Sequence, residues 1–381
     1  MSFIKGLLNN DRTRRIDRLF LLTVILISLY GTVTVITAGY AYAEFRYGDA
    51  LYFVKRQTIW LILGLIALLL GAKIPVRQFK KYAPVAYLIT LILLILTLII
   101  GFVGNGAKRW IAIGPITIQP SEIAKLTMVM MLARYFSENE GRATSPKSRK
   151  ESFIFGTLIP FIIMLIPILL VMLQKHLSCI IILGLIGIIL IVLSGVRLKY
   201  LTAFGAAGLA GVSYIAFFTD YTKDRITVWR DPESFKLTGG WQTLQGLMAI
   251  GSGGLFGKGL GRGELKYSYV SEPANDMIFA ILCEELGLFG AILALSLFGL
   301  LIARGVTIAL SARDTFSRLL VLGICVKIAV QTLLNVAVVT NTIPNTGISL
   351  PFFSYGGSSL IMLFFEAGMI LSVSAEARLH K

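Results

Sequence analysis

The chain has few charged residues and few cysteines, and each shortage excludes a class of protein. Asp, Glu, Lys and Arg make up 15% of its 381 residues, whereas 56% are hydrophobic and the mean hydropathy is +0.80. A soluble globular domain is typically about 25% charged. The three cysteines, Cys179, Cys283 and Cys325, lie in apolar segments and form no CxxC pair. Neither a disulfide framework nor a cysteine metal site is therefore predicted.

The chain also lacks the context of a nucleotide-binding loop. Glycines cluster in residues 251–263, but dinucleotide and Walker patterns need a preceding strand and a following helix. Neither is expected here, so we interpret the stretch as a flexible or re-entrant external segment. The net charge of +16 does not require a nucleic-acid partner, because membrane topology and affinity for anionic lipid account for it.

Long apolar runs, in contrast, recur along the whole sequence. A membrane-spanning helix needs roughly 20 mostly apolar residues, and its backbone polar groups must be satisfied within the segment. About ten segments meet this requirement, which predicts an all-α, polytopic integral membrane protein. The predicted spans are 19–38, 53–72, 82–102, 120–136, 152–172, 177–195, 200–218, 276–303, 317–339 and 356–375.

These spans predict a single membrane domain over residues 1–381. An even number of spans puts both termini on one side, and the distribution of Lys and Arg predicts that this side is cytoplasmic. Two polar connections stand out: a solvated cytoplasmic linker at about 137–151, and a large external loop at about 219–275 between helices 7 and 8. Chemistry on water-soluble groups is therefore expected on the outer face.

Asp276 is a single carboxylate where this loop meets the apolar segment that begins with MIFAIL. Asn275 and Asp276 are also residues that helix N-termini prefer as caps. From spacing alone, a catalytic carboxylate and a simple helix cap both stay open.

Several ionisable residues fall inside predicted spans, where their cost in lipid makes each one a functional candidate. Glu122 and Lys125 are three residues apart and share a helix face. The alternative is an internal ion pair that locks helices together. Lys327, with Gln331 and Asn335, forms a polar stripe that could equally be interhelical hydrogen bonding. Packing groups and cavity walls are both open for three further residues: Glu284, Glu285 and Glu366.

Lys108, Arg109 and Trp110 lie in the predicted connection between the third and fourth spans. Two adjacent cations and an indole suit an anionic head group, since Arg binds phosphate in bidentate fashion. Interfacial anchoring by Trp and snorkelling cations is the alternative.

Five segments together resemble the SEDS family (shape, elongation, division and sporulation), and more closely its division and sporulation branch. They are GAKRWI at 106–111, QPSEIAK at 119–125, GSGGLFGKGLG at 251–261, EPANDMIFAILCEELG at 272–287 and PNTGISLPFFSYGGSSL at 344–360. The segments occur in the family's order and span most of the chain.

The resemblance implies a peptidoglycan glycosyltransferase in the bacterial cytoplasmic membrane. Such an enzyme polymerises lipid II, an undecaprenyl-diphosphate-linked disaccharide pentapeptide, into glycan strands on the outer face, beside a class B penicillin-binding protein. By resemblance, Asp276 is the catalytic carboxylate. The implied substrate-binding residues are Lys108, Arg109, Trp110, Glu122, Lys125, Glu272, Lys327, Ser354 and Ser358.

In the expected mechanism Asp276 is the general base that accepts a proton from an acceptor sugar hydroxyl. Lys108, Arg109 and Lys125 meet the charge of the departing diphosphate, and single displacement inverts the anomeric carbon. Whether a divalent cation, Mg²⁺ or Mn²⁺, screens the charge of the diphosphate stays open. No other cofactor is expected. The competing hypotheses are a flippase for lipid-linked precursors and a non-catalytic scaffold for a penicillin-binding protein.

The chain departs from the family pattern at two places. It reads Gln174-Lys175-His176-Leu177-Ser178 where the family commonly has Gln-Pro-Asp-Leu-Gly, so a role for that Asp cannot be carried over. Next to the predicted catalytic residue, Ser271, Ala274 and Asn275 replace the usual Pro, His and Thr.

Overall fold

The computed structural model describes residues 16–104, 107–114, 116–144, 146–197, 220–267 and 272–378, with residues 202 and 270. Most of these residues are helical. The helices are α1 Arg18–Tyr47, α2 Tyr52–Lys73, α3 Val76–Ile100, α4 Pro120–Glu138, α5 Glu140–Ala143, α6 Arg149–Phe153, α7 Ile159–Leu173, α8 Leu177–Leu193, α9 Asp220–Arg230, α10 Trp241–Gly253, α11 Ile278–Leu310, α12 Thr315–Val339 and α13 Gly357–Arg378. A π-helical turn, Ile154–Leu158, joins α6 to α7.

Seven stretches of the described chain are long and apolar enough to cross a membrane: α1, α2, α3, Arg149–Leu173, α11, α12 and α13 up to Ala377. Helix α8 is apolar but has 17 residues, and α4 carries buried Glu122 and Lys125. The predicted span 200–218 lies outside the described residues, apart from residue 202. The all-α membrane architecture is confirmed, whereas the count of ten spans stays a prediction.

Helices α2 and α13 pack with their backbones in close approach. A Cβ on Gly368 would lie 2.2 Å from the carbonyl oxygen of Leu68, and one on Gly71 would lie 2.6 Å from that of Phe365. Small residues at such crossings let membrane helices gain van der Waals contact without a hydrophobic driving force.

Hydrogen bonds between connections place four of them at one end of the bundle. Arg109 donates to the carbonyl of Lys175 (2.8 Å), which joins the α3–α4 and α7–α8 connections. Ser178, at the start of α8, donates to the carbonyl of Thr346 in the α12–α13 connection. In the same connection, the carbonyl of Asn341 accepts a hydrogen bond from the indole of Trp229 in α9 (2.9 Å). We call this the Asp276 end, because Asp276 lies in the same group of loops.

The opposite end is held by contacts between other connections. Arg304 pairs with Asp17, the N-cap of α1. The amide of Val76 donates to Glu376 (3.0 Å), and Thr315 donates to Glu140 (2.7 Å). The stretch 137–151 therefore lies at this end, where α5 and part of α6 occupy it.

The α3–α4 connection contains a small antiparallel sheet that the sequence analysis did not predict. Its strands are β1 Phe102–Gly104, β2 Ala107–Ile113 and β3 Ile116–Ile118, in the order β1-β2-β3. Lys108 pairs with Val103, and Trp110 pairs with Phe102 across a register irregularity. Arg109 is therefore an extra residue of β2 between these two pairs, as in a β-bulge.

The glycine-rich segment is packed against the start of α11, so the interpretation of it as flexible is wrong. A Cβ on Gly253 would lie 1.9 Å from the carbonyl oxygen of Cys283. Amides of Lys258 and Gly259 donate to the carbonyls of Glu284 and Glu285, both at 2.9 Å. The two amides can reach these carbonyls because Gly287, with φ +63, interrupts the helical geometry of α11.

Two buried carboxylates fasten the same segment through their side chains. Glu284 accepts from Lys258 at 3.1 Å and from the Glu264 amide at 2.8 Å, and Glu285 accepts from Lys266 at 2.6 Å. Buried ion pairs persist where added hydrogen bonds satisfy the charges. Of the two alternatives for Glu284 and Glu285, the structure therefore favours packing groups. We call residues 253–267 and 283–287 the glycine clamp.

A matched pair of glycines in α10 tests this packing. We expect Gly253→Ala to lower the melting temperature of the detergent-purified protein by several degrees, because overpacking typically costs about 1–3 kcal/mol. Gly251→Ala is the control, because a Cβ there meets nothing within 4 Å. The control should be neutral or slightly stabilising, since Ala is the better helix former. Equal melting temperatures for the two variants would contradict the close contact.

Candidate functional site

Asp276 lies just before α11 and is not its cap. The N-cap position of α11 is Met277, and no side chain caps it. The structure therefore does not place Asp276 at the position that a simple helix cap requires. The side chain is partly exposed at the Asp276 end of the bundle.

Two other parts of the fold hold the backbone around Asp276. Asn335 of α12 donates to the carbonyl of Asp276 at 2.9 Å and to that of Ile348 at 2.6 Å. Ser354 donates to the carbonyl of Asn275 at 2.7 Å and accepts from the Leu350 amide at 2.7 Å. Ser354 and Asn335 thus fix the position from which the carboxylate projects.

The carboxylate has one side-chain donor near it within the described residues. Gln242, in the first turn of α10, places Nε2 3.5 Å from Oδ1 and 3.4 Å from Oδ2 of Asp276. Burial and, to a smaller extent, the negative charge of Glu272 together raise the pKa of Asp276 to about 6, and the contact with Gln242 opposes this rise. A carboxylate with this pKa is ionised at neutral pH yet basic enough to accept a proton.

Glu272 is in a strained backbone conformation four residues before Asp276. Its φ is +52, a region that residues other than glycine seldom adopt and that often marks functional sites. Asn275 donates to Glu272 at 2.5 Å. The negative charge of Glu272 acts on Asp276, so the two carboxylates form a local pair that the sequence analysis did not predict.

The predicted intramembrane residues form a buried charge cluster. Lys125 pairs with Glu122 at 2.7 Å, and Lys327 pairs with Glu366 at 2.5 Å. The two pairs act on each other electrostatically. Glu122, Lys125, Lys327 and Glu366 thus lie together in two ion pairs. An ion pair was the alternative interpretation for Glu122 and Lys125.

A small cavity lies between this cluster and the α12–α13 connection, which includes Ser354. Glu122 and Gln331 line it from one side, and Ser354 and Ser359 line it from the other. Ser358, predicted to bind substrate, lies half-buried in the first turn of α13. Ser354 therefore serves as a structural support of the site, and substrate binding by Ser358 stays a prediction.

Lys108 and Arg109 both have backbone partners. Nζ of Lys108 lies 3.4 and 3.5 Å from the carbonyl oxygens of Leu98 and Ile99, at the end of α3. Arg109 donates to the carbonyl of Lys175. These contacts correspond to the anchoring alternative, and they leave the remaining donors of each cation for other partners. Trp110 is half-buried beside them.

His176 does not replace the carboxylate that the family commonly has in this connection. It is buried and lies 3.5 Å from the Ser121 hydroxyl. Burial and the positive charges of Arg109 and Lys125 lower its pKa to about 3. The imidazole is therefore neutral at physiological pH.

The sequence analysis missed Gln242 as a partner of Asp276. A helix over WQTLQGLMAI would have been a usable signal, but nothing in the sequence relates its first turn to a residue 34 positions later. Within the described residues, no group of three or more His, Cys, Asp or Glu side chains comes together as a metal site would require.

Comparisons with known proteins identify the family. The family model for cell cycle proteins of the FtsW, RodA and SpoVE type matches residues 17–379. Stage V sporulation protein E of Bacillus subtilis is 36% identical over 364 residues, which are 95% of this chain and 98% of that protein. Peptidoglycan glycosyltransferase MrdB of Escherichia coli K12 is 33% identical over 367 residues, covering 96% and 95%.

A solved structure agrees over the same extent. It is described as "Structural coordination of polymerization and crosslinking by a peptidoglycan synthase complex", and one of its chains matches with a TM-score of 0.78 and 25% identity, covering 95% of this chain and 98% of that one. The chain belongs to the FtsW/RodA/SpoVE family, the SEDS family that its motifs resemble.

Proposed function

We propose that this protein is a peptidoglycan glycosyltransferase that polymerises lipid II, with Asp276 as its general base. The observation that carries the proposal is the Asp276 carboxylate. It is partly exposed, and its pKa is raised to about 6, chiefly because the groups around it limit its hydration. Its backbone is held by Asn335 and Ser354. The name of the MrdB relative supports the same reaction.

The proposed step is a single displacement. The acceptor hydroxyl oxygen attacks the anomeric carbon of the donor while its proton passes to the Asp276 carboxylate. The bond between that carbon and the diphosphate oxygen breaks, and the electron pair leaves with the diphosphate. Attack opposite to the leaving group inverts the anomeric carbon, so an α-linked donor gives a β-linked polymer.

Positive charge near the leaving group would stabilise the transition state. Lys108 and Arg109 are the predicted cations at this end. Lys125 is paired with Glu122, so its contribution would be a fixed field from within the buried cluster. Mg²⁺ keeps several waters and often binds through substrate phosphates. A divalent cation that arrives bound to the diphosphate of the substrate stays a prediction.

The orientation and the partner are parts of the same proposal. Cytoplasmic termini would put the Asp276 end on the outer face, where lipid II and the growing strand are available. A class B penicillin-binding protein is the proposed partner, because the similar solved structure is of a complex that coordinates polymerization and crosslinking. Membrane lipids complete the expected surroundings.

Replacing the carboxylate tests the mechanism. We expect Asp276→Asn to lower lipid II polymerisation on a glycan gel by about 10²-fold or more, because an amide cannot accept the proton. The control is Asp49→Asn, an exposed carboxylate at the start of α2 that pairs with Lys55. It should polymerise like wild type, and both variants should melt at or above the wild-type temperature.

Near wild-type polymerisation by the folded Asp276→Asn protein would rule out the base assignment. A flippase or a non-catalytic scaffold predicts instead that the purified wild-type protein itself does not polymerise lipid II.

The acidic limb of the pH–rate profile tests the role of Gln242. Wild-type polymerisation should rise through about pH 6 as Asp276 loses its proton. Gln242→Ala removes a donor that favours the ionised form, so the limb should move to higher pH, by up to about one unit. Ser252→Ala at the far end of α10 is the control, and its limb should stay in place. An unmoved limb in Gln242→Ala would contradict the contact.

A further inference from the structure

A polar cavity of about 430 Å³ lies at the end of the bundle opposite to Asp276. Three parts of the chain surround it: the first two turns of α3, the passage from α4 into α5, and the connection from α11 to α12. Hydrogen bonds join these parts. Arg134 of α4 donates to the carbonyl of Lys81 in α3 (3.0 Å), and Thr315 of α12 donates to Glu140 of α5 (2.7 Å). The walls of the cavity are therefore held in place by contacts with one another.

Three cations line the cavity, and none of them has a carboxylate partner in the described part of the chain. Lys80 belongs to α3, Arg313 to the α11–α12 connection, and Arg318 to the first turn of α12. Arg313 is exposed, whereas Lys80 and Arg318 are half-buried, and their side chains form no hydrogen bond among the described residues. Their positive charges are therefore available to a ligand.

The two carboxylates in the same walls are already engaged. Asp314 is the N-cap of α12, where it accepts from the amide (3.0 Å) and the hydroxyl (2.6 Å) of Ser317. Glu140 accepts from the hydroxyl of Thr315. Three positive and two negative side chains give the walls a net charge of +1. An anion with a single charge would balance it, whereas the ammonium group of a zwitterion would have to compete with Ser317 and Thr315 for the carboxylates.

A buried hydroxyl in the wall lacks a hydrogen-bond partner. Oγ of Ser137, near the end of α4, is enclosed and forms no hydrogen bond within the described residues. Polar side-chain atoms that a fold buries are seldom left unpaired, so this hydroxyl indicates a ligand atom that completes the site. A phosphate oxygen would accept its hydrogen bond, and the planar guanidinium of Arg318 suits two further oxygens of the same group.

The cavity lies at the level where spanning helices leave the membrane. Helices α3 and α12 are both long and apolar enough to cross it, and the cavity is at their ends. The phosphate groups of lipids occupy this layer, just outside the hydrocarbon core. A lipid phosphodiester carries one negative charge, which equals the excess charge of the walls. Soluble phosphates have the same oxygens, but a lipid is already anchored at this depth.

We propose that this cavity binds the phosphate group of an anionic phospholipid such as phosphatidylglycerol. Lys80, Arg313 and Arg318 hold its charge, and Ser137 donates to one of its oxygens. The bound lipid fastens α3, the α4–α5 passage and the α11–α12 connection together at the end remote from Asp276. With cytoplasmic termini, the lipid comes from the inner leaflet. The site does not depend on the proposed reaction.

Lipid binding by the purified full-length protein in detergent tests the site. The probe is dioctanoyl phosphatidylglycerol, and native mass spectrometry measures its affinity. We expect Arg318→Gln to weaken this affinity by about tenfold or more, because hydrogen bonds between charged groups are the strong ones. The control is Arg149→Gln, which changes an exposed cation at the same end that does not line the cavity. Its affinity should stay within about twofold of wild type, since exposed charges outside the site are screened.

Ser137→Ala keeps the test decisive if Arg318→Gln does not fold. Without added lipid it should melt at or above the wild-type temperature, because it removes a buried hydroxyl that has no partner in the protein. Added phosphatidylglycerol should raise its melting temperature less than that of wild type, since a weaker ligand stabilises less. Dioctanoyl phosphatidylcholine and sodium phosphate should compete only weakly with phosphatidylglycerol for the wild-type protein.

Equal affinity for phosphatidylglycerol in wild type and both cavity variants would overturn the site. The same loss of affinity in Arg149→Gln as in Arg318→Gln would also overturn it, because general surface charge would then explain the binding. Competition by phosphatidylcholine or sodium phosphate as strong as that by phosphatidylglycerol itself would refute an anionic phospholipid as the ligand.

Discussion

The contact between the glycine clamp and α11 is the constraint on which the rest of this site depends. A carboxylate can hold a raised pKa beside a membrane only if its surroundings cannot rearrange to hydrate it. Here α10 is pressed onto α11 at Gly253, and the ion pairs of Glu284 and Glu285 hold the segment that follows. Gln242 belongs to α10 and Asp276 directly precedes α11, so the packing of these two helices sets the separation of the two side chains.

A second set of interactions fixes the other side of the same carboxylate. Asn335 and Ser354 hold the backbone of residues 275–276 from α12 and from the loop before α13. Behind them, the buried pairs of Glu122 with Lys125 and of Lys327 with Glu366 neutralise one another. Removing one partner would leave an uncompensated charge in the bundle, which typically costs about 3–5 kcal/mol. The loop that carries Asp276 therefore rests on a rigid, charge-balanced support.

Much of this arrangement could be predicted from the sequence, because a lipid environment allows only a few backbone structures and places for polar side chains. Apolar runs of about 20 residues must be helices, and the polar residues within them must meet in the interior. Glu122, Lys125 and Lys327 do meet there, and Asp276 does lie at a helix start. The sheet that carries Lys108 and Arg109 was missed, since its strands of three, seven and three residues are too short for a periodic signal. The partners of Asp276, Glu284 and Glu285 could not be predicted, because each comes from a segment whose position depends on tertiary contacts.

The break at Gly287 has a consequence for how this family could diversify. With φ at +63 and a neighbouring backbone nitrogen 2.4 Å from where a Cβ would be, no side chain fits there unless residues 255–257 move away. A change at 287 would therefore need a compensating change in the stretch 255–257 in the same lineage. The two stretches are thus expected to be inherited as one block.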